Sequence, residues 1–207
     1  MRWLFRRRFD QVWLRQRYRP DSSSRTVYYL NHHSWWDGLI PLLLNEYRFG
    51  QRARAMMENR QMRRYPFFSR IGAFSVNRGN PRSALRSLRY AVESMRRPRA
   101  CLFIYPEGTL TPPGSRMDFE GGLAWLHDRL AREELEVDFV PVALHMHTLR
   151  GSRPELHLSV GDAVRPDVPG DAEATGTVFE RHWTTCWRSC AARQVSATPL
   201  SSAFPER

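Results

Sequence analysis

The chain contains no lysine. All 32 of its basic side chains are arginine, set against 21 acidic ones, for a formal net charge of +11. That imbalance predicts attraction to something anionic: nucleic acid, a membrane surface or a phosphorylated substrate. Cysteine is scarce as well. Cys101, Cys186 and Cys190 are odd in number and irregular in spacing, which excludes a disulfide framework and points to a reducing compartment. Cys186 and Cys190 can share a helix face, which alone is a weak metal signal. Long apolar runs are missing too. None reaches the roughly 18 residues that a membrane-crossing helix needs. The first residues have arginine throughout, not the uniform apolar segment of a secretory signal. The expectation is a protein that is soluble or lies on a membrane without crossing it.

What is present is ordinary for a folded domain. Hydrophobic residues make up 42% and charged ones 26% of 207 residues, which argues against wholesale disorder and suits one domain with a real core. Residues 2–19 interleave aromatic side chains with seven arginines. Read as a helix, this stretch gathers Phe5, Phe9, Val12 and Trp13 on one side. Such a helix either lies in a membrane interface or packs on the core with a solvated basic face. We expect residues 1–20 to form this amphipathic surface helix, 21–195 the main domain, and 196–207 a frayed tail rich in Ser, Pro and Ala.

Strand and helix signals alternate along the main domain. Thr26–Leu30 (TVYYL), Ala53–Met57, Ala73–Val76, Ala100–Tyr105 (ACLFIY), Val137–His145 and Leu156–Val160 read as strands. Helices are expected over Trp36–Glu46, Gln61–Arg70, Pro81–Arg96 with Asn80 as its cap, Gly122–Arg132 and Thr175–Ala192. The alternation predicts a single α/β domain with a mixed, mostly parallel sheet flanked by helices.

Three motifs carry chemistry. Asn31-His32-His33-Ser34-Trp35-Trp36-Asp37 follows a strand and enters a helix. A turn there can bring the Asp37 carboxylate to one nitrogen of His32, fixing its tautomer, while the other nitrogen takes a proton from a hydroxyl. Tyr105-Pro106-Glu107-Gly108-Thr109 follows the most apolar strand. Ligands in open α/β sheets bind beyond the carboxyl ends of strands, and this turn offers backbone donors, a hydroxyl and a carboxylate. Gly72–Arg78 (GAFSVNR) sets an arginine at the end of a short strand, placed to grip a phosphate. A metal at His32, His33 and Asp37 is disfavoured, because adjacent histidines in extended backbone point opposite ways. His145 and His147 share a strand face, which suits a ligand pair, but core or edge placement is the simpler reading.

In this order the motifs resemble the glycerolipid acyltransferase family, which includes the lysophosphatidic acid acyltransferases. The family's N-H-x-S-x-x-D block is met by Asn31, His32, Ser34 and Asp37. A glycine followed six residues on by arginine is met by Gly72 and Arg78. F-P-E-G-T-R-S is met by Pro106, Glu107, Gly108 and Thr109. A V-P-V strand is met by Val140, Pro141 and Val142. The resemblance runs from about residue 25 to 162, and its first and third blocks are the specific ones.

The resemblance implies a donor that is acyl-CoA or acyl-carrier protein and a lipid hydroxyl as acceptor. It implies His32 as base, Asp37 as its partner, and Arg78, Glu107, Gly108 and Thr109 at the acceptor. Asn31, Ser34, Gly72 and Pro106 support the motifs. It implies no cofactor beyond the acyl donor and no metal, a cytoplasmic protein peripheral on the inner face of an anionic membrane, and a role in phospholipid biosynthesis. Departures bear on the acceptor. Tyr105 replaces the usual Phe. Leu110 and Thr111 stand where the family has Arg and Ser. Phe119-Glu120-Gly121-Gly122 resembles F-K-x-G with Glu for Lys. A glycerol-phosphate acceptor is thereby placed in question, with Arg116 as a compensating cation, and a lysophospholipid, a glycolipid or another hydroxylated lipid stands open. Competing readings are a basic nucleic-acid-binding protein, which matches no nucleic-acid module, and a lipid-binding relative without catalysis, against which the intact His32 and Asp37 argue.

Overall fold

A computed structural model describes residues 2–113, 115, 117–148, 151–166, 170–191 and 198–199. In chain order the elements are α1 (Arg2–Arg8), β1 (Val12–Gln16), β2 (Thr26–Leu30), a 3-10 turn (Trp35–Leu39) running into α2 (Ile40–Leu44) and a π-helical turn (Asn45–Phe49), β3 (Arg52–Glu58), α3 (Asn59–Arg64), α4 (Phe67–Arg70), β4 (Ala73–Val76), α5 (Pro81–Met95), β5 (Ala100–Ile104), α6 (Gly122–Arg132), β6 (Asp138–His147), β7 (Glu155–Val160), α7 (Ala172–Ala191) and β8 (Thr198–Pro199). The strands form one sheet in the order β4-β3-β5-β2-β6-β7-β1-β8. Pairing is parallel from β4 through β6 and between β7 and β1; only β6–β7 and β1–β8 run antiparallel. The chain is therefore an α/β domain with a mixed, mostly parallel sheet flanked by helices.

The apolar runs explain the layering. Every residue of β2 and β5 is buried, as expected of parallel strands covered on both faces. Side chains alternate between the faces. Tyr28, Leu30 and Phe103 join Phe5, Phe9, Leu43 and Leu44 on one side. Val27, Tyr29, Leu102 and Ile104 join Val92 of α5, Leu126 of α6 and Phe179 of α7 on the other. Burial of each such side chain contributes about 1.5–3 kcal/mol before entropy is counted.

Three expectations are corrected. The helix read over residues 2–19 stops at Arg8, and Val12–Gln16 instead pairs in parallel with β7. Val12, Leu14 and Tyr18 also fit a two-residue period and pack on one face, and an open strand edge decides between the two periods. Phe5 and Phe9 are buried, so the apolar side once open to a membrane reading faces the core; Trp3 and Leu4 are the large apolar side chains of α1 left exposed. The helix read over Gln61–Arg70 is split in two, because Pro66 drives the preceding Tyr65 out of helical geometry (φ −130°, ψ 73°). The helix read over Trp36–Glu46 covers the 3-10 turn, α2 and part of the π turn, which closes on Gly50 at φ +60°. Of the expected tail 196–207, only Thr198–Pro199 is described, and it pairs with β1; the rest lies outside the described residues.

Candidate active site

Four neighbouring parallel strands, β4, β3, β5 and β2, end at one edge of the sheet. Adjacent strands lie about 4.8 Å apart, so the segments leaving them are forced together. This is why Glu58, Arg78, the Tyr105–Thr109 turn and the His32 loop meet there, although they stand far apart in the sequence.

The loop after β2 is built around one carboxylate. Asp37 is fully buried. Its Oδ2 accepts from the backbone N–H of His33 at 2.6 Å and of Ser34 at 2.7 Å, and its Oδ1 accepts from the Ser34 hydroxyl at 2.9 Å. The same Oδ2 lies 3.2 Å from His32 Nδ1. A carboxylate already accepting three hydrogen bonds acts as an acceptor toward the ring as well. The proton therefore sits on Nδ1, and Nε2 keeps its lone pair. Asn31 locks the loop to the sheet. Its fully buried amide donates to the Leu144 carbonyl at 2.9 Å and accepts from the Leu144 N–H at 2.8 Å.

The turn after β5 braces the histidine from below. Glu107 is buried; its Oε2 accepts from the His32 N–H at 3.0 Å and its Oε1 from the Thr111 hydroxyl at 2.8 Å. The Thr111 N–H donates to the His32 carbonyl at 2.9 Å, so both backbone groups of His32 are held. Tyr105 lies beside the imidazole with ring centroids 4.6 Å apart, and its hydroxyl donates to the Asp37 carbonyl at 2.6 Å. Burial holds that phenol far above its ordinary pKa, so it stays a neutral donor.

Two glycines have specific work. Gly72 sits at φ +95°, and a Cβ there would lie 2.7 Å from the Ala53 carbonyl, so the residue lets β4 start close against β3. Gly108 sits at φ +63°, and a Cβ would lie 2.7 Å from the Arg78 guanidinium carbon. Arg78 reaches across that gap, donating to the Gly108 carbonyl and pairing with Glu120.

These elements wall a cavity of about 590 Å³. His32, Tyr105, Arg78, Gly108 and Thr109 stand on one part of its wall. Trp35, Met57, Tyr65, Phe68, Val76 and Leu88 are among the apolar residues that line the rest. The cavity is thus mainly apolar, with a histidine whose ring is one-quarter exposed at its polar end. That arrangement can bind an alkyl chain and take a proton from a hydroxyl set against Nε2.

Of the residues singled out from sequence, His32, Arg78, Pro106, Gly108 and Thr109 line the cavity, while Asn31, Ser34, Asp37 and Gly72 do not. Glu107 does not line the cavity. Its carboxylate accepts from the His32 N–H and the Thr111 hydroxyl. Pro106 accepts from the Glu120 N–H through its carbonyl at 2.9 Å. His33 turns away from His32, with Nδ1 2.9 Å from the Thr111 carbonyl, as adjacent positions in extended chain require. Arg116 lies outside the described residues. Tyr105 and Thr111 make contacts that their motif positions alone do not assign. Tyr105 was noted only as a replacement for Phe, and its hydroxyl was the available signal.

Among the described residues, one group of three brings potential metal donors together: His147, Glu155 and His157, within 4.8 Å of one another. It lies on β6 and β7 and lines no part of the cavity. Cys101, Cys186 and Cys190 are buried free thiols. No helix among the described residues is long and apolar enough to cross a membrane.

A family model described as Acyltransferase matches residues 12–145. A search of curated proteins gives no match.

Proposed function

The chain belongs to the acyltransferase family, and we propose that it moves a fatty acyl group from a thioester, acyl-CoA or acyl-carrier protein, to a hydroxyl of a lysophospholipid or other glycerolipid. The observation that carries this reading is His32: Nδ1 tied to a buried carboxylate, Nε2 left free at the polar end of an apolar cavity.

The chemistry follows from that geometry. The acceptor hydroxyl sits against His32 Nε2, which takes its proton as the oxygen attacks the thioester carbonyl. The imidazolium is stabilised by Asp37, whose other hydrogen bonds keep the carboxylate oriented. The tetrahedral intermediate collapses, the C–S bond breaks, and the departing thiolate recovers the proton from His32. An ester and a free thiol result, and no protein nucleophile is consumed. Glu107, Thr111 and Tyr105 hold the base at a fixed height; Arg78, Gly108 and Thr109 border the acceptor head.

The proposal extends to the place of work: the cytoplasmic inner face of an anionic membrane, in phospholipid biosynthesis. Trp3 and Leu4 are exposed on α1 beside a run of arginines. Phe5 and Phe9 fix that helix against Trp36, with ring centroids 5.9 and 5.6 Å apart, next to the Trp35 wall of the cavity. Trp35 and Leu110 are themselves exposed at the cavity. Aromatic and aliphatic side chains ringed by arginine suit an interfacial contact, one that delivers a lipid to His32.

The test is direct. Purified protein and its His32→Ala variant are incubated with labelled acyl-CoA or acyl-carrier protein and a panel of lysolipids, and products are followed by mass spectrometry. A product formed by the parent and lost in the variant supports the reading; equal product from both sinks it.

A further inference from the structure

We propose that the acceptor of this acyltransferase carries no phosphate monoester, and that Glu120 is the residue that excludes it; the inference rests on the acyl-transfer reading of the cavity. The acceptor head is instead uncharged or amine-bearing.

The argument is one of local charge against global charge. The chain has a net charge of +11, yet the described cavity wall runs the other way. Apart from His32, its charged lining residues are Glu58, Arg78 and Glu120, one cation against two anions. Arg78 is also already engaged. One terminal nitrogen donates to the Gly108 carbonyl and the other pairs with the Glu120 carboxylate. A phosphate entering beside Arg78 would have to displace Glu120 and then sit next to it.

The backbone makes this pairing hard to avoid. Gly108 leaves room for the guanidinium only because it has no side chain. Glu120 is fixed by its own N–H, which bonds to the Pro106 carbonyl at 2.9 Å, just before that turn. The segment carrying Glu120 is thereby tied to the turn carrying Gly108, with Arg78 bonded to both. Leu110, more than half exposed, stands at the cavity where a cation would have been the simplest way to add phosphate affinity. A dianionic head meets no unpaired cation among the described lining residues, and two carboxylates close by. An uncharged polyol or sugar head meets hydrogen-bonding groups and no repulsion; an amine head is attracted.

The experiment compares two short-chain acceptors of matched acyl length, a monoacylglycerol and its 3-phosphate, both below their micelle-forming concentrations. Surface arginines then contribute equally to parent and variants. The parent is expected to acylate the uncharged acceptor with the higher kcat/KM. Glu120→Gln and, separately, Leu110→Arg should shift the ratio of the two kcat/KM values toward the phosphate by about tenfold each, the size expected for one like charge removed or one opposite charge added nearby. The shift should fall on KM.

A parent that prefers the phosphate, or variants that leave the ratio where it was, overturns the proposal. Loss of the acyl-transfer reading itself looks different: neither acceptor yields product in the parent. Binding of the same two acceptors, followed by the fluorescence of Trp35 in the cavity wall, then decides. Tighter binding of the uncharged acceptor, weakened in favour of the phosphate by Glu120→Gln, supports the charge argument without catalysis. Tighter binding of the phosphate by the parent refutes it.

Discussion

Among the described residues two histidine–carboxylate pairs stand out, one on each half of the domain, and they differ in which nitrogen is engaged and in what surrounds it. In His32–Asp37 the carboxylate takes Nδ1 at 3.2 Å and leaves Nε2 facing the cavity. In His157–Glu155 the carboxylate lies 3.4 Å from Nε2, the same atom that meets His147 Nε2 at 3.0 Å. The Glu155 carboxylate also accepts from the Trp13 indole at 3.1 Å, and the indole ring stacks on His157. Burial and the neighbouring His147 push His157 down to about 4. Pairing with a carboxylate therefore does not by itself make a base. What matters is which nitrogen the carboxylate occupies, and whether the other opens on space that a substrate can enter. On that ground the proposed base is His32 and not His157.

The sharpest way to break the comparison is to exchange the consequences. His32→Ala should lower kcat by about 10²–10⁴-fold, the usual reach of a general base, with the thermal midpoint little changed, because the ring is partly exposed. His157→Ala should do the opposite, leaving acyl transfer largely intact while lowering the midpoint. Comparable activity of His32→Ala and the parent would remove the distinction altogether.

A smaller effect is expected where the brace is loosened and the base is left in place. Asn31→Leu keeps the branching of the side chain but strands the N–H and C=O of Leu144, so a loss of about 1–3 kcal/mol is expected by urea unfolding. Gly108→Ala forces a side chain into the left-handed region against Arg78, for about 1–2 kcal/mol. Gly121→Ala is its control: that Cβ would meet nothing within 4 Å. Equal stability of the two alanine variants would show that the close approach of Arg78 does not depend on Gly108.

The same contrast explains what the amino-acid order could convey. The half carrying the cavity was the more legible. Thr26–Leu30, Ala73–Val76 and Gly122–Arg132 are bounded by strong local signals and fall where expected, and Asn80 caps α5 through Ser83 N–H at 3.1 Å. The loop of Asn31–Asp37 was legible because all its parts lie within one turn. The role of Glu107 was not. Its partners, His32 and Thr111, come from two segments, and only the pairing of β2 with β5 reveals that the carboxylate lies under the loop. The Arg78–Glu120 pair was hidden for the same reason, since 42 residues separate its members. On the other half, β1 was misread as helix because its partner β7 is contributed from the far end of the domain. Local pattern decides elements that are self-sufficient; long-range pairing decides the rest.

The histidine-rich half also leaves a mark on stability that depends on pH. His157 is neutral in the fold, and its pKa there, about 4, lies below the ordinary 6.5. Between those values the unfolded chain binds the extra proton and the folded chain does not, so stability must fall as pH drops through that window. The contribution is whole above about 6.5 and is lost as pH falls toward about 4. His127, pushed down by burial, acts in the same direction. Carboxylates held low, such as Asp21 at about 2, lose their contribution only further down. Urea midpoints measured from about pH 7 to about pH 4.5 should therefore decline in the parent, and His157→Gln, which cannot be protonated, should flatten part of the decline while lowering the starting value. An unaltered slope in His157→Gln would take the loss away from His157 and leave His127 as the shifted histidine to test next.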